Sequence, residues 1–157
     1  VKFGADKLGT QGELLAYELA AHVGVPCPPC RLLRRGQSEW KALQAATAAL
    51  EEKGGHPSAG ELSAWMKGNR CALVIGFVPG CALHRSPSAF GDEAAAEATA
   101  EALGRVLLLD LLLCNADRLP VEAMTWRGNP SNLRYGPAGL AAIDHTLPRR
   151  PPAGLAC

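Results

Sequence analysis

The segment 92–113 changes character along its length in a way that restricts the folds open to this chain. Its first half is rich in Ala and Glu, and its second half is almost entirely Leu, interrupted by Asp110. This pattern predicts a long helix that begins at the surface and ends in the core. The polar run N-A-D-R-L-P, residues 115–120, follows directly on the buried helix end.

A β-hairpin is predicted after this polar run. Residues 118–129 have the composition of an irregular loop, closed by a turn at Gly128 and Asn129. Segments 133–135 and 140–143 are strand-like, and Gly136 with Pro137 favours a turn between them. The hairpin would place Asp144 at a strand end.

Shorter elements are predicted before residue 92, and together they make the fold class α+β. Gly24 is expected to cap the first long helix, Ser38 to be the N-cap of the second, and Pro79 to help end the last strand of this region. The predicted segments are strand 1–3, loop 4–11, helix 12–22, strand 31–33, helices 38–53 and 57–68, and strand 71–78. We expect residues 1–157 to form a single domain, and to be a fragment of a longer protein because the first residue is Val1.

The charge balance argues against a nucleic-acid surface. The chain has 16 Lys and Arg against 15 Asp and Glu, a net charge of +1, whereas binding to a phosphate backbone requires a concentrated positive face. The short basic groups at 31, 34 and 35 and at 149 and 150 are interpreted as solvated edges. No signal-peptide pattern is present, and the apolar run 106–114 is too short to cross a bilayer. We therefore expect a soluble, cytoplasmic protein with no membrane partner.

Two of the six cysteines form the motif C-P-P-C at residues 27–30. A redox CxxC usually lies at the start of a helix, whereas here a predicted strand follows it. A zinc site requires four ligands, and the sequence has no second CxxC or His pair at ligand spacing. Structural or incidental thiols are the favoured interpretation, with a metal or redox role as the alternative.

Asp117, Asn132 and Asp144 form an ordered set of polar residues that suggests a reaction. Phosphoryl transfer requires a positioned nucleophile and neutralised phosphate charge. Asp117 suits the role of accepting the proton of an acceptor hydroxyl. Asn132 and Asp144 suit Mg²⁺, which prefers oxygen ligands and keeps several waters. The alternative is that these residues only cap turns, but their order beside an apolar helix and a hairpin favours the catalytic set.

A kinase-like site also requires a strand lysine on the ATP phosphates, held by a helix glutamate. Lys2 lies on the first predicted strand, and Glu13 opens the next predicted helix. Glu18 is an alternative partner, although it points to a different helix face. The alternative for Lys2 is a surface charge near a frayed chain end.

Four segments of this sequence match a known family. They are E-L-L-A-Y-E-L-A with the following G-V-P (13–26), L-G-R-V-L-L-L-D-L-L-L-C-N-A-D-R-L-P (103–120), W-R-G-N-P-S-N-L (126–133) and A-I-D-H-T-L-P-R-R-P (142–151). On these motifs the chain resembles the actin-fragmin kinase catalytic domain, an atypical protein kinase. It is most similar to the version found in plant and algal proteins that also carry a dual-specificity phosphatase domain. The similarity covers most of the chain outside the Ala-rich insert at 38–68.

The resemblance implies a protein-kinase-like fold, with residues 1–80 as an N-lobe remnant and hinge and 81–157 as part of a mostly helical C-lobe. It implies ATP and Mg²⁺ as cofactors, and a cytoskeletal protein, actin or tubulin, as the substrate. By position it implies Lys2 as the lysine on the ATP phosphates and Glu13 as its helix partner. It also implies Asp117 as the catalytic Asp, Asn132 and Asp144 on the metal, and the hinge strand 74–78, with Ile75, Phe77 and Val78, beside adenine.

The sequence also departs from ordinary protein kinases. The interval from Asp117 to Asn132 is longer than their catalytic loop. His145 stands where they have the Phe of D-F-G, and we expect it to be an exposed loop residue. Arg118 is expected to place phosphate or to brace the loop. Because no Gly-rich loop precedes Lys2, and little follows residue 151, the isolated chain is expected to be weakly active or inactive.

Three functions therefore remain open from the sequence. The first is a Mg-ATP-dependent Ser/Thr protein kinase, favoured by retention of the Lys, both Asp and the Asn. The second is a degenerate kinase fold that serves as a binding or regulatory module. The third is a helical interaction module in which the motif is accidental, and nucleotide binding would separate it from the other two.

Overall fold

The computed structural model describes residues 1–4, 7–54 and 58–148. These residues group into two compact units, one within 1–11 and 30–75 and the other within 12–29 and 76–148. Helices and antiparallel strands occur together, so the chain is α+β as predicted. Among the described residues, no helix combines the length and apolar character needed to span a membrane.

The first unit is built around a two-stranded antiparallel sheet. Its elements are the start of α1 (Lys7–His22), β1 (Cys30–Arg34), α2 (Ser38–Glu52), α3 (Ser58–Gly68) and β2 (Cys71–Ile75). In the ladder Leu33 lies opposite Ala72, and both are buried with Trp40 and Met66. Phe3 stacks on Trp65 and meets Trp40 edge to face, which extends this core.

The strands of this unit are shorter than predicted. The strand expected at 71–78 ends at Ile75, because two prolines precede β1 and cannot donate to a longer ladder. The N–H of Gly76 then donates to the carbonyl of Pro29 at 2.9 Å. The strand expected at 1–3 is reduced to a bridge in which Lys2 and Leu73 exchange two backbone hydrogen bonds of 2.8 Å.

Two helix starts differ from the prediction. α1 begins at Lys7 rather than at residue 12, so most of the predicted loop 4–11 is helical. Gly9 and Gly12 are weak helix formers, so the sequence did not predict a helix here. A stripe of buried residues with helical spacing nevertheless runs through this turn. The stripe consists of Thr10, Glu13, Ala16, Tyr17 and Ala20. The N-cap position of α2 is Gln37 rather than Ser38, and it makes no side-chain cap bond.

The second unit packs the end of α1 and one long helix against a three-stranded antiparallel sheet. The sheet has the order β3 (Cys81–Ala82), β4 (Leu133–Gly136), β5 (Gly139–Ala142), and the long helix is α4 (Glu93–Leu113). The predicted hairpin is confirmed, with residues 137 and 138 in its turn. The core consists of Ala20, Val25, Val106, Leu109, Leu133, Leu140 and Ala142.

The Leu-rich end of α4 is buried on one side only. Val106, Leu109 and Asp110 are buried, whereas Leu108 and Leu112 are exposed. A run of Leu is apolar around the whole helix, but this unit covers only one face of it. The expectation that the helix ends in the core is therefore correct for one face.

Candidate functional site

The loop after α4 is shaped by a buried asparagine. Cys114 ends the helix in the left-handed conformation, with φ of 55°. The Nδ2 of Asn115 then donates to Oδ1 of Asp110 at 3.0 Å, and its Oδ1 accepts the N–H of Asp117 at 3.3 Å. Asn115 is 2% exposed, while Asp117 lies at the surface. The loop is thus anchored to the helix and holds Asp117 in contact with solvent.

Asn132 lies beside Asp117 because a 3₁₀ turn, Pro130–Asn132, brings it there. The side chain of Asn129 caps this turn by accepting the N–H of Ser131 at 3.2 Å. The Nδ2 of Asn132 donates to the carbonyl of Asp117 at 2.8 Å and to its carboxylate Oδ2 at 3.3 Å. Since Nδ2 is held by Asp117, the amide oxygen of Asn132 is the atom that would face a metal ion.

Asp144 follows the hairpin and is tied to Asn132 through the backbone. The carbonyl of Asn132 accepts the N–H of Ile143 at 2.9 Å, directly before Asp144. Asp144 has a left-handed backbone with φ of 55°, and its N–H donates to the Tyr17 hydroxyl at 3.1 Å. A non-glycine residue in this region is uncommon and is held there by its surroundings. The three predicted residues 117, 132 and 144 therefore come together in the second unit.

A buried charge cluster lies beneath these residues. The Nη1 of Arg118 donates to Oδ1 of Asp110 at 2.8 Å, and both side chains are almost fully buried. The Nη2 of Arg118 lies 3.1 Å from Nδ1 of His145 and 3.4 Å from the carbonyl of Ile143. One guanidinium thus joins α4, the loop of Asp117 and the segment of Asp144.

The burial of this cluster corrects the prediction for His145 and decides between the two roles predicted for Arg118. His145 is 1% exposed, so it is not an exposed loop residue. It packs edge to face on Tyr17, with ring centroids 4.5 Å apart. Arg118 is fully buried, so its side chain has no access to a bound phosphate. Of its two predicted roles, bracing the loop is therefore the one that fits.

Burial shifts the pKa values of the cluster. Burial raises the pKa of Asp110 to about 6, against the opposing charge of Arg118 and the hydrogen bond from Asn115. Burial also lowers the pKa of His145 to about 3, and the charge of Arg118 adds to this effect. His145 is therefore neutral at pH 7, where Asp110 is ionised and paired with Arg118.

A cavity of about 520 Å³ opens next to Asp117. Its lining includes Asn115, Asp117, Trp126, Arg127 and Thr146. Gly128 shapes the adjacent turn: its φ is +67°, and an added Cβ would lie 2.6 Å from the backbone N of Pro120. The turn lets the N–H of Asn129 donate to the carbonyl of Arg118 at 3.2 Å. An exposed carboxylate at the edge of such a cavity can accept a proton from a hydroxyl placed there.

The remaining predicted residues are divided between the two units. Lys2 is half-buried in the first unit, on its bridge to Leu73, and Ile75 ends β2 in the same unit. Glu13 belongs to the second unit and is 8% exposed. Because α1 begins earlier than expected, Glu13 lies within the helix and does not open it, which corrects the prediction.

Phe77 and Val78 lie in the second unit, in a segment that is neither helix nor strand. They line a cavity of about 290 Å³ together with Cys27, Pro79 and Leu140. Phe77 is 89% exposed, which is unusual for a large apolar side chain. Cys27 and Cys30 do not form a disulfide, and burial raises the pKa of Cys27, which disfavours the reactive thiolate.

Sequence reasoning missed four residues that hold the site in place: Tyr17, Asp110, Asn115 and Asn129. Asp110 and Asn115 could have been identified from the sequence, since a carboxylate within a Leu run and an amide directly after it require buried partners. Tyr17 lies far from Asp144 in the sequence, and nothing local predicts their hydrogen bond.

Residues 1–135 match the sequence model of a protein family described as actin-fragmin kinase, catalytic. The chain is also 38% identical over 152 residues to a protein from Arabidopsis thaliana named dual specificity protein phosphatase PHS1. This alignment covers 92% of the chain and 16% of the plant protein, so the chain spans about a sixth of that relative. Both findings confirm the resemblance predicted from the motifs. Asp144 lies outside the range matched by the family model.

Proposed function

Because the chain belongs to the actin-fragmin kinase catalytic family, we propose that it is a Ser/Thr protein kinase domain that transfers the γ-phosphate of ATP with the help of Mg²⁺. The observation that carries the proposal is the contact set of Asn132. Its side chain bonds to Asp117, and its backbone bonds to the residue before Asp144. The residues of the ordered motif thus form one connected group around a buried support.

In this proposal Asp117 orients the acceptor hydroxyl and accepts its proton. Its exposure and its position at the 520 Å³ cavity suit this role. The Asn132–Asp117 bonds fix the carboxylate, so little reorganisation is needed when a hydroxyl arrives.

The amide oxygen of Asn132 and the carboxylate of Asp144 would hold Mg²⁺. Within the described residues, no group of three or more His, Cys, Asp or Glu side chains could hold a metal ion alone. An Asn–Asp pair fits Mg²⁺, which takes one or two protein ligands together with nucleotide phosphates and waters. When bound, the ion would neutralise charge on the transferred phosphate.

Lys2 is proposed to bind the ATP phosphates with Glu13 as its helix partner, and Ile75, Phe77 and Val78 are proposed to contact the adenine. The exposure of Phe77 beside an apolar cavity supports a role in ligand contact. The family description names actin, and the proposed substrate is a cytoskeletal protein in the cytoplasm, either actin or tubulin. The name of the plant relative supports a phosphatase domain elsewhere in the parent chain.

Phosphate transfer from labelled ATP to actin and to tubulin tests the proposal. Asp117→Asn should lower the transfer rate by about 10²- to 10⁴-fold, the usual contribution of a positioned base, and leave Mg-ATP affinity unchanged. Asp144→Asn should weaken ATP binding with Mg²⁺ present, and should have no effect in EDTA. Glu122→Gln, an exposed carboxylate from the same loop, is the matched control.

Equal transfer rates for Asp117→Asn and Glu122→Gln would contradict the role of Asp117. The second candidate is a kinase-like binding module without catalysis, favoured by the phosphatase name of the plant relative. ATP binding without transfer to either substrate, measured on the parent protein as well as on this chain, would support that alternative.

A further inference from the structure

A second cavity, in the first unit, has a strongly positive lining. Its volume is about 680 Å³, which falls in the range typical of small-molecule sites. It is lined by Lys7, Thr10, Gln11, Leu32, Arg34, Arg35, Gly68, Asn69, Arg70 and Cys71. Four of these residues are cations and none is an acid. The whole chain is nearly neutral at +1, so this concentration of charge is local.

The cations of this cavity have no carboxylate partner within the described part of the chain. The ion pairs of Arg31, Arg105 and Arg118 involve no residue of the cavity lining. Arg31 shows the contrast within one strand. It pairs with Glu39, whereas Arg34 lines the cavity with Leu32 on the opposite face of β1. Four unpaired cations at one cavity repel each other, and a bound anion would relieve that repulsion.

Two features position positive groups at the cavity. The Nη2 of Arg35 donates to the carbonyls of Met66 and Lys67 at the end of α3, which fixes this guanidinium. The first turn of α1 contains Lys7 and no acidic residue. The first turn of a helix is the positive end of its dipole, which favours a nearby anion.

We propose that this cavity binds a small organic ligand that carries more than one phosphate group. Arginine guanidiniums bind phosphate oxygens through paired hydrogen bonds, and Arg34 and Arg70 are exposed and available for them. A single phosphate ion would leave most of 680 Å³ unfilled and would neutralise only part of the charge. The site is separate from the Asp117 group, and its proposed use does not depend on kinase activity.

Calorimetric titration of tripolyphosphate into the full chain tests this site, with EDTA present so that Mg²⁺ plays no part. We expect saturable binding that weakens as salt is raised. Arg34→Gln and Arg70→Gln should each weaken it about tenfold or more, the usual effect of losing a charge-assisted hydrogen bond. Arg31→Gln is the matched control, since it removes the same charge from the other face of the strand.

Asp144→Asn separates this inference from the proposed kinase site. It should leave Mg-free tripolyphosphate binding unchanged, whatever it does to Mg-ATP. All three arginines are exposed, and circular dichroism would verify that the variants remain folded. Equal weakening by Arg31→Gln and Arg34→Gln would overturn the proposal, because binding would then follow net charge alone. A response to polyglutamate without a response to tripolyphosphate would also overturn it and indicate an acidic polypeptide partner.

Discussion

Arg118 holds two parts of the candidate site together through one buried side chain. It pairs with Asp110 on α4 and reaches the segment that leads to Asp144. Its Nε and the Oδ2 of Asp110 are buried without a hydrogen-bond partner. A buried ion pair that leaves polar atoms without hydrogen-bond partners carries a high desolvation cost. Its main contribution is therefore to fix the geometry of the loop.

Replacing one partner of this pair should therefore lower the free energy of unfolding more than replacing both. Arg118→Met leaves the Asp110 charge buried and should cost about 3–5 kcal/mol of unfolding free energy. The double variant Asp110→Leu/Arg118→Met should recover most of that loss. Urea unfolding measures both.

Arg105→Met is the control for the Arg118 experiment. Arg105 forms an exposed pair with Glu101 on the same helix, and its loss should cost no more than about 1 kcal/mol. If Arg118→Met were as mild as Arg105→Met, the buried pair would not support the loop.

His145 should make the protein sensitive to mild acid. Its pKa is lowered from 6.5 to about 3 by burial and by Arg118, so the unfolded chain takes up the proton first. Its contribution is complete above pH 6.5 and is lost as the pH falls toward 3. Between pH 7 and pH 5 this amounts to about 2 kcal/mol of unfolding free energy.

The variant His145→Gln isolates this effect. Asp110 has the opposite effect on stability. Because its pKa is about 6 in the folded state, Asp110 adds stability as the pH falls toward 3.8. Urea unfolding at pH 7 and pH 5 should show a smaller acid loss for His145→Gln than for the unmodified chain. His84→Gln, an exposed histidine, should keep the full loss. Identical pH dependence for both variants would contradict the assignment.

At the scale of elements, apolar periodicity and the positions of Gly and Pro predicted most of the helices and strands. The hairpin, α4 and the strand after C-P-P-C follow from apolar spacing and from Gly and Pro. Prediction failed where a tertiary contact decided the outcome. The start of α1 depends on a buried stripe that outweighs Gly9 and Gly12, and the end of β2 depends on the prolines beside its partner strand. The candidate residues Asp117, Asn132 and Asp144 were predicted from their order in the sequence, whereas the buried residues that support them could be identified only from the fold.

Two residues at helix starts provide a test at this scale: Asp92, the observed N-cap of α4, and Ser38, the predicted N-cap of α2. Asp92 accepts the N–H of Ala95 at 2.8 Å and caps α4, so Asp92→Ala should cost about 1 kcal/mol of unfolding free energy. Ser38 lies inside α2, after the cap position at Gln37, so Ser38→Ala should change stability by less than about 0.5 kcal/mol. Thermal or urea unfolding would decide, and equal losses would mean that Ser38 also caps its helix.

At the scale of the whole molecule, the proposed roles are distributed over two units. Lys2 and Ile75 belong to the first, and Glu13, Asp117, Asn132 and Asp144 to the second. The sequence places a boundary near residue 80, whereas the compact units divide after Ile75 and also assign 12–29 to the second unit. Local patterns could not predict this, because α1 runs through both units and its sequence does not change where they divide. The single-domain assignment for 1–157 remains a prediction.

The separate cores predict that the units lose structure independently. The core of the first unit contains Leu33 and that of the second contains Leu140, and the two clusters share no residue. Each Leu→Ala change should cost about 2–5 kcal/mol, expressed mainly in its own unit. Hydrogen exchange read by mass spectrometry should show Leu33→Ala speeding exchange in β1 and β2 more than in β4 and β5, with the reverse for Leu140→Ala. Because each variant is the control for the other, a uniform increase in both would mean that the chain unfolds as one cooperative body.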